Sequence, residues 1–376
     1  MKKNHKEKIL VAMSGGVDSS VAAALLVKKG YDVAGAFMVN YDDSHHPSPL
    51  LGQEGINCWS RDYQDALRVA AKLGIPLMRL NFTKEYKKLV LDYMYREYAA
   101  GRTPNPDVLC NKFIKFGVWL KKAKALGFDK LATGHYARLR LGKLLEAKDK
   151  NKDQTYFLHQ LTQAQLKYVL FPIGEYSKPQ IRALAKKFGL ATAEKEESMG
   201  ICFVGEVPMK KFLMKKIKPR PGKITTSSGE AIGKHDGLPF YTIGQRIGTT
   251  TPTPPRKQGG DTKPLYVVAK NKKTNELVAG FENDQLLYKK EIEVGELNWI
   301  SGTPKFPLKC TARLRHRQPL QACTVKKINF KIKVFFSKPQ RAVTPGQFAV
   351  FYSARRSSQR AKAGKSGACL GGGVIK

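Results

Sequence analysis

Hydrophobic positions in the first half of the chain fall into short solid runs separated by stretches of helical texture. Residues 8–13 (KILVAM) form an apolar run that stops at a Gly-rich turn. Residues 19–29 (SSVAAALLVKK) are rich in Ala and Leu and end before Gly30, the residue type that commonly follows a helix. Residues 32–40 (DVAGAFMVN) predict a second buried strand, 62–73 a second helix closing at Gly74, and 77–81 and 130–134 (KLATG) further strands. Solid apolar strands alternating with helices predict a parallel sheet covered on both faces, an α/β doubly wound domain.

The texture changes after about Gly205. Residues 219–254 place many Gly, Pro, Ser and Thr between short strand-like pieces, and β-rich runs such as EIEVGELNWI, KINFKIKVFF and GQFAVFYS follow from Phe281 onward. The expected organisation is a doubly wound domain over 1–206, a small central β-rich domain over 207–280, and a C-terminal antiparallel β-barrel over 281–376. Segments 249–263 and 354–367 read as loops. The second carries Arg355, Arg356, Arg360, Lys362 and Lys365 without an acidic residue. No apolar run reaches the roughly 18 residues that suggest a membrane span, and the first residues lack the apolar stretch of a signal peptide.

Charge narrows the class of partner. The 376 residues hold 67 Lys and Arg against 30 Asp and Glu, a net charge of +37. Self-repulsion on that scale disfavours a compact chain unless a polyanion compensates. Nucleic acid is the first expectation and an anionic membrane surface the alternative. Loop 354–367 is expected to add sequence-independent phosphate contacts. Six cysteines (58, 110, 202, 310, 323 and 369) include no C-x-x-C pair. That excludes the usual zinc-ribbon spacing and a dense disulfide framework, and it suits a reducing, cytoplasmic setting.

The turn Ser14-Gly15-Gly16-Val17-Asp18-Ser19 lies between the first predicted strand and helix. Its glycines let backbone amides approach an anion, and the helix start adds positive potential. Ser14 and Ser19 can donate to phosphate, and Asp18 can hold Mg2+ against it. The sequence is not a G-x-x-x-x-G-K-[ST] loop: Gly364-Lys365-Ser366 has Gln359 where the first glycine belongs. The hexapeptide resembles the pyrophosphate loop (PP-loop) of N-type ATP pyrophosphatases. In chain order follow Thr103-Pro104-Asn105-Pro106-Asp107 with Cys110-Asn111, Gly134-His135-Tyr136-Ala137 and Lys152-Asp153-Gln154-Thr155-Tyr156-Phe157-Leu158. Gly200-Ile201-Cys202-Phe203, Tyr241-Thr242-Ile243-Gly244-Gln245-Arg246 and Leu370-Gly371-Gly372-Gly373 complete the series. With this set the chain resembles the bacterial-type tRNA-specific 2-thiouridylases from about Lys8 to its end.

Read alone, Cys110 precedes a helical run containing Lys112 and Lys115, a setting at a helix N-terminus that would favour thiolate. Cys202, among apolar residues and glycines, reads as a buried structural thiol. The resemblance assigns both a role: Cys202 would carry a persulfide, and Cys110 would be the nucleophile that resolves it, leaving a transient Cys110–Cys202 disulfide. It further implies ATP binding by Ala12, Met13, Ser14, Gly15, Gly16, Val17, Asp18, Ser19, Met38 and Gly134. Asn105, Pro106 and Asp107 would contact the target base, with Asp107 able to handle a proton. His135, Lys152, Asp153, Gln154, Arg315, His316 and Gln347 would contact tRNA, and ATP with Mg2+ would be consumed. A persulfide donor, a cysteine desulfurase or sulfur relay protein, would be the second partner.

Two departures accompany the resemblance: Ala12 replaces a usual glycine, and His316 replaces a common tyrosine. Arg313, Arg315 and Arg317 in RLRHR would share one face if the segment continued as a strand. Two other classes fit parts of the sequence: an amidating ATP pyrophosphatase, which would not need Cys110 and Cys202, and an RNA-binding protein with an inactive nucleotide fold.

Overall fold

The computed structural model describes residues 6–41, 58–196, 208–247, 264–354 and 367–376. The basic segment 355–366, the whole polar segment 249–263, and Cys202 with its neighbours fall outside the described residues.

The first sheet is parallel, ordered β3-β2-β1-β4-β7, with β1 Lys8–Met13, β2 Asp32–Val39, β3 Leu77–Asn81, β4 Lys130–Thr133 and β7 Val169–Leu170. Alternation along its strands divides two cores. Ile9, Val11, Val33 and Phe37 face α1 (Val17–Lys28), α2 (Cys58–Leu73) and the helix Lys178–Lys187. Leu10, Ala34, Ala36 and Met38 face the helical segments between residues 83 and 125. Both faces are covered, as the solid apolar runs require. At β1 the chain order of neighbouring strands reverses, and the C-terminal ends of β1 and β4 form the crevice where such sheets bind ligands.

A two-stranded hairpin follows, β5 (Ala137–Arg140) with β6 (Lys143–Glu146). Next comes a four-stranded sheet ordered β10-β11-β8-β9, built from β8 Gly222–Thr226, β9 Ala231–His235, β10 Tyr266–Asn271 and β11 Glu276–Gly280. The last unit is a closed barrel. Its strands are β12 Tyr288–Trp299, β13 Leu308–Arg313, β14 Gln321–Ile328, β15 Lys331–Arg341, β16 Phe348–Ser353 and β17 Cys369–Ile375.

The barrel departs from the sequence reading at two places. KINFKIKVFF is not one strand: Asn329 and Phe330 both adopt positive φ (47° and 62°), and the chain reverses between β14 and β15. The two-residue turn with positive φ matches the twist of its strands. Arg313, Arg315 and Arg317 do not share a face either. β13 ends at Arg313, and Arg317 has φ +64°, so the alternation stops. Arg313 is buried, whereas Arg315 and Arg317 are exposed.

Arg313 instead joins barrel to sheet. Its guanidinium donates to Asp153 Oδ2 at 2.8 Å and to Glu146 Oε1 at 2.9 Å, where both carboxylates are essentially inaccessible. Around this cluster, residues 153–161 are tied to the barrel. Tyr156 Oη donates to the carbonyls of Phe348 (3.1 Å) and Leu314 (3.3 Å), and Asn298 Nδ2 donates to those of His159 (2.8 Å) and Leu161 (3.0 Å). Removing one partner of a buried ionic cluster leaves uncompensated charge. Arg313→Met should therefore lower stability by about 3–5 kcal/mol, and Arg313→Lys, which keeps the charge but loses the fork, by less. Chemical denaturation of the three proteins measures the order.

Candidate active site

β1 delivers the chain into turn 14–19, and α1 leads it out. Gly16 is the N-cap of α1 and has no side chain to cap the helix, so amides at its start can serve an anion. Ser19 Oγ accepts from Ser14 N at 3.1 Å and donates to Gly16 O at 3.1 Å, which curls the turn. Two glycines, Gly15 and Gly134, are sterically required. Gly15 has φ +75°, and a Cβ there would lie 2.1 Å from the Asp62 carbonyl oxygen in α2; a Cβ on Gly134 would lie 2.7 Å from Ser19 N. The turn is thus a close-fitted cradle of backbone and hydroxyl donors between α2 and the end of β4, chemistry that fits a polyphosphate.

Asp18, the proposed Mg2+ holder, is engaged. Lys178 Nζ reaches both of its oxygens at 2.9 Å, and Tyr136 Oη donates to Oδ1 at 2.8 Å. A magnesium ion would have to share or take the position that this ammonium holds. Sequence reasoning missed Lys178. The available signal was a lysine in the first position of a helix, where the dipole disfavours a cation. Tyr136 is fixed in turn by Gln154, whose Oε1 accepts from Tyr136 N (2.9 Å) and whose own N–H donates to Tyr136 O (2.9 Å). A second missed contact is Lys195, which bridges Asp62 and Asp65 of α2 behind the turn at 2.6 Å each.

Met38 is 2% exposed and packs in the same core as Leu10 and Cys110. Ala12 lies against that core, whereas Met13 and Val17 belong to the core on the other face. Asn40, two residues beyond Met38, is 3% exposed, and neither its Oδ1 nor its Nδ2 is hydrogen-bonded among the described residues. A buried amide with donor and acceptor both unmet at the ligand edge of the sheet offers both to a bound molecule. Only its polar type after an apolar run marks it in the sequence.

Asn105 caps the helical run that carries Cys110. Its Oδ1 accepts from Val108 N at 3.2 Å, and Pro106 takes the first helical position. Asp107 lies in the first turn. Cys110 therefore does not stand at the helix N-terminus, as the sequence reading had it. The helix begins at Pro106 because Asn105 caps it there, and Cys110 opens the π-type segment Cys110–Trp119 one turn further on. Cys110 is fully buried. Nearby, Lys112 Nζ donates to Gln160 Oε1 at 3.0 Å, and burial pushes this lysine below its ordinary pKa. Gln347 of the barrel reaches the same segment: its Nε2 donates to the carbonyls of Thr103 (3.0 Å) and Pro104 (3.3 Å), and its Oε1 accepts from Asn105 Nδ2 at 3.4 Å.

The candidate RNA residues divide. Arg315 is exposed, and Lys152, Gln154, His316 and Gln347 are partly so. His316 packs on Phe157 with ring centroids 4.5 Å apart, and its Nε2 lies 3.0 Å from Asp153 O. Asp153 turns inward to Arg313, at 1% exposure. His135 is 8% exposed, packed against Phe116 and Phe171, with Nδ1 2.8 Å from Thr133 Oγ1.

Burial, reinforced by Lys115, pushes the His135 pKa well below 6.5. A histidine whose folded pKa is depressed gives stability that is present above the unfolded pKa and lost as pH falls below it. The His135 ring should accordingly stay neutral as pH falls through the range near 6.5 where an exposed histidine titrates, showing no titration step there in its NMR ring-proton shifts.

Comparison with known proteins places this geometry. Residues 7–206 match the model of the tRNA methyl transferase HUP domain, residues 210–280 a tRNA methyl transferase PRC-barrel domain, and residues 289–375 an aminomethyltransferase beta-barrel domain. A tRNA-specific 2-thiouridylase of Geobacillus kaustophilus is 46% identical over 99% of this chain and 95% of its own length. That of Streptococcus sanguinis is 45% identical over 100% of this chain and 96% of its own. Among solved structures, a 4-thiouridine synthetase–RNA complex with bound ATP covers 56% of this chain and 50% of its own at 16% identity, with a TM-score of 0.34, too distant to add to what the strands show.

Proposed function

The chain belongs to the tRNA-specific 2-thiouridylase family, and from that premise we propose that it installs sulfur at C2 of the wobble uridine of tRNA, consuming ATP. The observation that carries the nucleotide half of this reading is the glycine-lined cradle of residues 14–19, closed by Gly134 and backed by α2. Ser14, Ser19 and the amides opening α1 would hold the phosphates. Met38 would lie beside the adenine, and the unmet Asn40 amide would face a bound base. Mg2+ would enter beside Asp18 with Lys178. ATP supplies an adenylyl group that makes the uridine C2 oxygen a leaving group.

The chain's own residues do the rest. Asn105 and Asp107 would orient an unstacked uracil, since chemistry on a base requires it out of the stack. Gln347 holds the Asn105 segment from the barrel side. Cys202 would present the sulfur as a persulfide, taken from a donor protein. Cys110 would attack Sγ of Cys202 itself, expelling the outer sulfur as sulfide that takes the place of AMP at the adenylated C2, and would end in a Cys110–Cys202 disulfide that a reductant reopens. Arg315, His316 and Lys152 would contact the tRNA, and the excess positive charge would draw the polyanion in. The family models carry methyl-transferase descriptions. The phosphate cradle and the two cysteines favour nucleotide-driven sulfur transfer, as do the names of the full-length relatives.

Two outcomes test the reading. Incubated with unmodified tRNA, ATP and a persulfide source, the protein should yield 2-thiouridine, measured by nucleoside mass spectrometry. Cys110→Ser and Cys202→Ser should each abolish the product while tRNA binding persists; full product in both would overturn the cysteine roles. Gly134→Ala, by pressing a methyl group on the start of α1, should weaken ATP binding at least tenfold in calorimetry and leave tRNA binding intact.

A further inference from the structure

Cys310 and Cys323 lie apart from this site, on neighbouring antiparallel strands β13 and β14, directly opposite each other in register. Residues so paired have Cα atoms about 4.5–5.5 Å apart, inside the span of about 4.4–6.8 Å that a disulfide bridges. The two Sγ atoms are 3.6 Å apart, so joining them asks for side-chain rotation and no backbone rearrangement. Both side chains are largely buried, yet both line a groove of about 950 Å³ open to solvent. Thr311, Thr324, Phe336 and Lys309 form part of its wall, as do Arg313, Lys150 and Glu146, which are paired with one another. The groove has room for a small disulfide. The neighbouring thiol and burial push Cys310 above its ordinary pKa, which makes any reaction here slow compared with that of an exposed thiol.

We propose that Cys310 and Cys323 form a thiol–disulfide exchange site for a small disulfide, and that exchange there closes a cross-strand disulfide stapling β13 to β14. One cysteine attacks a sulfur of the incoming disulfide, forming a mixed disulfide and releasing one thiol that takes up the cysteine proton. The second cysteine attacks the protein-bound sulfur of that mixed disulfide and expels the second thiol, which takes up its proton. The protein loses two S–H bonds and gains one S–S bond, and the incoming disulfide is reduced to two thiols. The staple sits on the strand that delivers Arg313 to Glu146 and Asp153, so it fixes the barrel element that carries the ionic link to the sheet.

The test uses the full chain and oxidised glutathione as the probe, followed by alkylation and peptide mass spectrometry. The expected result is a Cys310–Cys323 crosslink that dithiothreitol removes and that Cys310→Ser prevents. A rise of several degrees in melting temperature over the reduced protein should accompany it. The urea-unfolded chain, treated alike, shows that the reagent is competent. If both cysteines of the folded protein stay alkylatable, or carry only single glutathione adducts while the unfolded chain crosslinks, the proposal is overturned. The outcome is independent of the roles of Cys110 and Cys202, which the nucleoside assay reads.

Discussion

The ion cluster of Arg313, Glu146 and Asp153 is the contact on which the arrangement of the whole molecule depends. Two carboxylates without solvent are tolerable only where cations reach them; Lys150 reaches Glu146 from the same segment at 3.4 Å, while Arg313, which reaches both, comes from a different part of the chain. The barrel must therefore seat where β13 ends. Once seated, it supplies acceptors for Tyr156 and donors to the carbonyls of His159 and Leu161. Burial pushes the Asp153 carboxyl up even beside Arg313, a measure of how dry the junction is.

From Asp153 the same segment leads directly to the turn of residues 14–19. The next residue, Gln154, fixes Tyr136 by two hydrogen bonds, and Tyr136 with Lys178 orients Asp18 at the start of α1. A second route leads from the barrel through Gln347 to Asn105, the cap of the helix that carries Cys110. Turn 14–19 and the helix carrying Cys110 are thus positioned by one neighbouring unit, through a chain of short polar contacts on one side and a capping residue on the other.

Much of this was legible in the sequence. The solid apolar runs gave β1 and β2 within a residue of their observed limits because strands covered on both faces leave little room for polar positions, and β3, an edge strand with Arg79 and Asn81, was bounded by the turn residues around it. The turn 14–19 was readable because steric demand on Gly15 leaves a local signature. What the sequence concealed was long-range pairing. Nothing local to Asp153 distinguishes a carboxylate that meets RNA from one that meets Arg313, and a polar KNKDQ stretch reads as solvated either way. His135 was similarly ambiguous until its neighbours Phe116 and Phe171 were in place. The KINFKIKVFF run was misread because Asn329 and Phe330 carry the positive φ of a hairpin turn without a glycine to announce it. Cys110 was set too near a helix start because Pro106, which begins the helix, also fits an ordinary turn.

The grip of Gln347 on Thr103, Pro104 and Asn105 bears on how such a protein can be recombined. Barrel and catalytic layer look like separable modules, yet a barrel transplanted from a relative would arrive without the matching partners at residues 103–105 and 146–161. Those short stretches would have to travel with it, so the natural unit of exchange is the barrel together with the two seams it rests on.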